Sequence, residues 1–167
     1  DARIKKTNWL FDDTKGFIEQ LYKEIGAFDK KCKKLGQKAA IRLNGTSDLN
    51  WRRFKKTIYE DWPGVQWYDY TKNYFAACEW LDGKYPKNYH LTFSRSENNE
   101  YHCWDVLNRG MNVAVVFEKM PKKYWGFPVF SADETDLRFL DKFGIQGLTP
   151  KGKAKKDTTG FVIRNAK

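Results

Sequence analysis

Hydrophobic positions along the chain change their spacing several times, and each change marks an element. Phe17, Ile18, Leu21, Ile25, Phe28 and Cys32 recur at intervals of three and four, with lysines on the opposite face. That spacing predicts one helix from Asp12 to Gly36, with Asp12, Asp13 and Thr14 as candidate caps and Gly36 as the stop. The strand "AAIRLNG" follows, then helical "NWRRFKKTIYEDWPG" and the strand "VQWYDYT". Helical "KNYFAACEWLDG", the strand "NYHLTFSRS" and helical "EYHCWDVLNRG" come next. "NVAVVFE" is a buried strand, "FPVFSA" a fifth, and "TDLRFLDKFG" reads as helical. The tail "IQGLTPKGKAKKDTTGFVIR" sets a basic loop between two short apolar segments and reads as a terminal hairpin.

Strands alternating with helices at this spacing imply βαβ units and a parallel sheet. Five strands are too few for a closed eight-unit barrel. The expected class is therefore α/β: an open, curved, mostly parallel sheet, like part of a TIM barrel, with helices on its outer face. At 167 residues the chain is expected to be one domain, with residues 150–167 as a basic tail or hairpin. No apolar run approaches the length of a membrane span, and no Gly-x-Gly-x-x-Gly or Walker loop follows a strand. A chain that opens on Asp1 reads as a processed or partial product.

In parallel α/β sheets ligands gather at the carboxyl ends of the strands. Here every strand empties into polar groups: Asn44, Thr46, Ser47 and Asp48 after the first; Asp69, Tyr70, Thr71 and Lys72 after the second. Ser94, Arg95, Ser96 and Glu97 close the third, Glu118 and Lys119 the fourth, and Ser131, Asp133, Glu134 and Asp136 the fifth. Two readings stand side by side. Thr46, Ser47 and Asp48 are ordinary helix caps, and "SADETD" is equally a capping loop. Alternatively the ends line one polar pocket, with Asn44, Ser47, Lys72, Ser94 and Arg95 binding a ligand and Asp48, Asp69 and Asp133 as catalytic acids. Asp69, flanked by aromatics in a strand, needs a partner that Lys72 or Arg95 could supply; a structural salt bridge fits it as well as catalysis does.

Charge adds a second partner class. The net charge is +10, but residues 39–149 hold 15 Lys/Arg against 14 Asp/Glu. Residues 1–38 carry 10 against 6, and residues 150–167 carry 6 against 1. Basic ends favour polyanions such as nucleic acid, with Lys151, Lys153, Lys155 and Lys156 as the phosphate contacts. With no apolar anchor among them, those lysines are expected on a mobile loop. Cys32, Cys78 and Cys103 form no CxxC or Cys/His group, so they read as free thiols of a reducing cytoplasm, with no metal site. His90 and His102 have no nucleophile or ligand at recognisable spacing and read as structural.

Taken together, "RLNGTSD", "YDYTK", "PKNYHLTFSRSE", "NVAVVF" and "ADETDLRFLD…GLTPKGKAKKDTTGFV" resemble a group of phage and mobile-element proteins over nearly the whole chain. The pattern in turn is similar to radical-SAM-like half-barrels, in which "S-D", "YTK" and "P-N…S" segments close successive strands. The resemblance implies a curved parallel sheet, a pocket inside its carboxyl edge and, in longer relatives, a cysteine-rich segment ahead of the "ARI.KT" block. Cys32, Cys78 and Cys103 do not replace that segment. Two functions are thus expected: a ligand-binding or enzyme-derived half-barrel, cofactor undefined, or a basic nucleic-acid-binding or host-interaction protein without catalysis.

Overall fold

The computed structural model describes residues 2–165. Its centre is an open sheet of eight strands, in which every pairing is parallel except that of β5 with β6. The strands are β1 (Ala40–Ile41), β2 (Gln66–Thr71), β3 (Tyr89–Ser94), β4 (Val113–Phe117), β5 (Lys123–Tyr124), β6 (Phe127–Ser131), β7 (Ile145–Leu148) and β8 (Val162–Ile163). Seven lie in the order β1-β2-β3-β4-β7-β6-β5, and β8 joins β4 separately. The helices are α1 (Ala2–Asp12), α2 (Thr14–Lys34), α3 (Tyr74–Leu81) and α4 (Glu100–Asn108).

Alternation along the strands assigns the two faces. Trp67, Asp69 and Thr71 of β2 align with Leu91 and Phe93 of β3, and Phe93 with Val113 of β4. All are buried, in a core that also takes Ala77 of α3 and Cys103, Val106 and Leu107 of α4. Tyr68, Tyr70, His90, Thr92, Ser94, Ala114 and Gln146 share the other face by the same register. A 3-10 turn, Arg138–Leu140, packs there, with Phe139 edge-on to Tyr68 at 5.5 Å.

Several expected elements differ. The helix expected from Asp12 to Gly36 is α2, capped by Asp13, whose Oδ1 accepts from the Gly16 amide at 2.9 Å; α1, ahead of it, has no counterpart among the expected elements. "NWRRFKKTIYEDWPG" forms only a 3-10 turn, Trp51–Arg53, followed by turns. Arg52, inside the segment, donates through Nε to the Lys56 carbonyl a helix would use and through Nη1 to the distant Lys84 carbonyl, while Asn88 Nδ2 ties down the Tyr59, Trp62 and Val65 carbonyls at its end. Tertiary hydrogen bonds have overridden a helical pattern. "TDLRFLDKFG" likewise gives a single 3-10 turn, because Arg138 is drawn beneath it, fully buried, to bond Thr135 O and pair with Asp141 at 3.3 Å.

The tail is not a hairpin. β7 and β8 both run parallel to β4, β7 along Val113–Val116 and β8 along Val116–Phe117. β3 meets β4 only through Phe93 and Ser94, so β8 takes up β4 where β3 has left it. Lys151 to Lys156, expected as a mobile loop, form a 3-10 turn over Gly152–Lys156. It is tied down at both ends: Asp133 pairs Lys151 at 3.1 Å, and Arg164 donates to the carbonyls of Lys155 and Asp157.

One glycine is required by this packing. Gly144 has φ +147°, and a Cβ there would lie 2.7 Å from the Pro128 carbonyl oxygen. Gly144→Ala should cost about 2–3 kcal/mol in urea unfolding. Gly45→Ala, with nothing within 4 Å and no positive φ, should stay within about 0.5 kcal/mol of the parent.

Candidate functional site at the sheet's carboxyl edge

The second face of the sheet opens at its carboxyl edge into a cleft of about 320 Å³. Period-two alternation brings Tyr70 and Lys72 of the β2 end into it, beside Ser94 of β3 and Ala114 and Val116 of β4. Arg42 enters from the end of β1, Asp136 from the loop after β6, and Phe161 from the tail.

Its charged groups are unequally engaged. Arg42 Nη1 pairs with Asp136 at 2.8 Å, its Nε donates to Asn44 O, and its guanidinium lies 4.5 Å over the Tyr70 ring. Tyr70 OH donates to the other Asp136 oxygen at 2.9 Å. Burial pushes the Tyr70 phenol up, so it serves as a donor rather than a phenolate. Arg95 is buried: Nη1 donates to the carbonyls of Gly160 and Phe161 at 2.7 and 2.9 Å, and Nη2 pairs with Glu100 at 2.7 Å. Lys72 differs. Among the described residues it has no ion pair; its ammonium lies 5.4 Å from the Phe161 ring centroid. Ser94 Oγ also has no hydrogen-bond partner among the described residues.

Of the residues expected at the site, Lys72, Ser94 and Arg95 come together here. Asn44, Ser47, Asp48 and Asp69 do not. They build the joint between the loop after β1 and strand β2. Asn44 Oδ1 accepts from Ser47 Oγ, the Leu49 amide and Trp51 Nε1. Asp48 accepts from Thr71 Oγ1 at 2.8 Å and the Lys72 amide at 2.7 Å. Asp69 accepts from the Asn44 amide at 2.9 Å and Asn44 Nδ2 at 3.3 Å, so its partner is Asn44 rather than Lys72 or Arg95. Asp133 is also elsewhere, tying the Thr149 amide and Lys151 together. Arg42, Tyr70, Asp136 and Phe161 are the members that did not figure among the expected binding residues. Tyr70 was signalled by its place two residues before Lys72; Phe161 had no sequence signal, since it arrives by a long-range contact.

The histidines lie apart from this chemistry. Burial, aided by Arg138, holds His90 down to about 4, so it is neutral at pH 7, and His102 stacks on Tyr74 at 4.1 Å. Cys32 and Cys103 are buried in α2 and α4, and Cys78 is half-buried in α3. Among the described residues no three His, Cys, Asp or Glu side chains come together to hold a metal, and no helix is long and apolar enough to cross a membrane.

The sequence matches the gene product 88 family over residues 1–165. The chain belongs to that family, a phage-type one. Among curated proteins, and among solved structures, nothing matches it.

Asp69 carries a measurable pH signature. Burial, opposed by the Asn44 bonds, lifts its carboxyl from 3.8 to about 7. A folded-state value above the unfolded one means its contribution is fully present below pH 3.8 and declines until about pH 7, with a total of order 4 kcal/mol. Urea unfolding of the parent should therefore lose stability between pH 4 and 7 by an amount that Asp69→Asn does not lose. Parallel pH profiles would show that Asp69 titrates normally.

Proposed function

We propose that this gene product 88 family member is a ligand-binding domain that takes a small ligand bearing one anionic group at the carboxyl-edge cleft. The observation that carries the reading is Lys72. Arg42 and Arg95 are already committed to Asp136, Glu100 and backbone carbonyls, whereas Lys72 and the Ser94 hydroxyl have no such partners among the described residues. Lys72 supplies the charge, Ser94 a neutral donor, and Arg42, Asp136 and Tyr70 a fixed polar wall. A cleft of about 320 Å³ is at the small end of ligand sites.

A half-barrel of radical-SAM type is the finer version of the fold reading, supported by the open, mostly parallel sheet and the place of the cleft at its carboxyl edge. The described cysteines do not fit an iron–sulfur cluster. They sit in three different helices, and Cys103 Sγ is within 3.4 Å of Asn99 Oδ1 as its donor. No catalytic step is assigned through such a group.

Calorimetry against inorganic phosphate, nucleoside monophosphates and dicarboxylates tests the binding reading. Lys72→Ala should weaken the ligand that binds by about tenfold or more, in line with about 1.5–3 kcal/mol for a charged hydrogen bond, with urea unfolding unchanged. A ligand whose affinity ignores Lys72→Ala and Ser94→Ala overturns it.

Nucleic-acid binding is the second reading, supported by Lys153, Lys155 and Lys156, all exposed and without ion pairs among the described residues. Replacing Lys151, Lys153, Lys155 and Lys156 by Ala should weaken single-stranded DNA or RNA binding and flatten its dependence on salt. An unchanged salt slope removes the tail from function.

A further inference from the structure

A smaller pocket, of about 100 Å³, lies on the core face of the sheet, between β2, β3, the start of α3 and the loop after β1. Alternation puts Thr71 of β2 and Tyr89 and Leu91 of β3 in its lining, and spacings of three and four bring in Phe75, Ala76 and Glu79 of α3. Two carboxylates, Asp48 and Glu79, line it, and among the described residues no Lys, Arg or His does. The neighbouring cations do not cancel this charge. Lys84 pairs with Glu79 at 3.7 Å, Arg52 with Glu60 at 3.7 Å, and the Lys72 ammonium lies over Phe161 in the other cleft. Setting Lys84 against Glu79 still leaves Asp48, which has no ion pair among the described residues. Its bonds come from neutral donors, the Thr71 hydroxyl and the Lys72 amide. The joint thus satisfies the hydrogen bonds of Asp48 and leaves its charge. That field reaches Tyr85, whose phenol is raised by burial, by Glu79 and, against Arg52, by Asp48.

We propose that this pocket binds a short primary alkylammonium, its N–H groups on Glu79 and the Tyr85 hydroxyl and its carbon chain against Phe75. The surplus of carboxylate selects a cation. Tyr85 OH has no hydrogen-bond partner among the described residues, so its oxygen is free to accept from an ammonium, which carries three donors. Ring faces offer less: Tyr89 packs between Tyr59 at 4.3 Å and Tyr85 at 4.9 Å, and Arg52 lies 5.0 Å over Tyr85. A quaternary ammonium, which has no N–H and relies on open ring faces, therefore fits less well. Size limits the chain, since about 100 Å³ is roughly the share of three waters in the liquid. A divalent metal is disfavoured by the same lining. It wants six or more oxygens, whereas Leu49, Ala76 and Leu91 present carbon and no three acidic, His or Cys side chains converge among the described residues. Phe75, 81% exposed at α3, gives the chain an apolar surface to cover.

The test is an amide-resolved NMR titration with propylammonium chloride, set against tetramethylammonium and magnesium chlorides at equal ionic strength. Propylammonium should shift the Ala76 and Glu79 amides saturably and bind at least tenfold more tightly than tetramethylammonium. Glu79→Gln, which gives up only a loose surface pair, should weaken it at least tenfold with urea unfolding unchanged. Ala76→Leu should fill the pocket and abolish binding; if that variant does not fold, Glu79→Gln decides alone. The proposal is overturned by no saturable shift at these amides, by tetramethylammonium or magnesium binding as tightly as propylammonium, by an affinity that ignores Glu79→Gln, or by binding that survives in folded Ala76→Leu.

Discussion

β3, α4 and the tail meet at one guanidinium, that of Arg95. It stands directly after β3, its amide bonded to Ala114 O of β4, and its buried side chain reaches two separate parts of the chain. Nη1 holds the carbonyls of Gly160 and Phe161, and Nη2 and Nε hold Glu100 at the start of α4. A guanidinium carries five N–H donors in a fixed planar fork, so one side chain holds all three acceptors in a set geometry. Because β3 leaves β4 after Ser94, a gap opens on that side of β4; the same arginine that ends the pairing fixes the segment that fills the gap with β8. A buried guanidinium stripped of these acceptors would cost about 3–5 kcal/mol, so the tail's position is strongly determined.

That constraint reaches the cleft. Holding the Phe161 carbonyl places its backbone at the cleft, and the Phe161 ring is the surface over which Lys72 lies. The wall opposite is set by Arg42, Asp136 and Tyr70, joined by direct contacts from three different segments. Charge is thus spent on architecture at most of this edge and left open at one ammonium. The large positive charge of the whole chain says less about a ligand than the pairing of individual cations does.

How much of this was legible in the sequence follows from the range of the interactions. Period-two alternation in "QWYDYT" and "YHLTFS" and the apolar run "VAVVF" located β2, β3 and β4, since each strand's own pattern sets its burial. The same alternation placed Lys72 and Ser94 side by side. Asn44, Asp48 and Asp69 looked like a pocket wall and proved to be a mutually bonded joint, because polar residues that satisfy one another have the same composition as polar residues awaiting a ligand. The missing helix after Trp51 and the course of the tail depend on Asn88, Arg52 and Arg95, side chains that act across tens of residues and leave no local trace.

Hydrogen exchange at single amides tests the clamp most directly. The Glu118 amide bonds to Ile163 O, joining β4 to β8, while the Trp67 amide bonds to Asn88 O far from the tail. In Arg95→Ala, exchange at Glu118 and Val162 should accelerate by orders of magnitude more than at Trp67, reporting local release of the tail. Equal acceleration at all three amides, or none at Glu118, would contradict a tail held in place by Arg95.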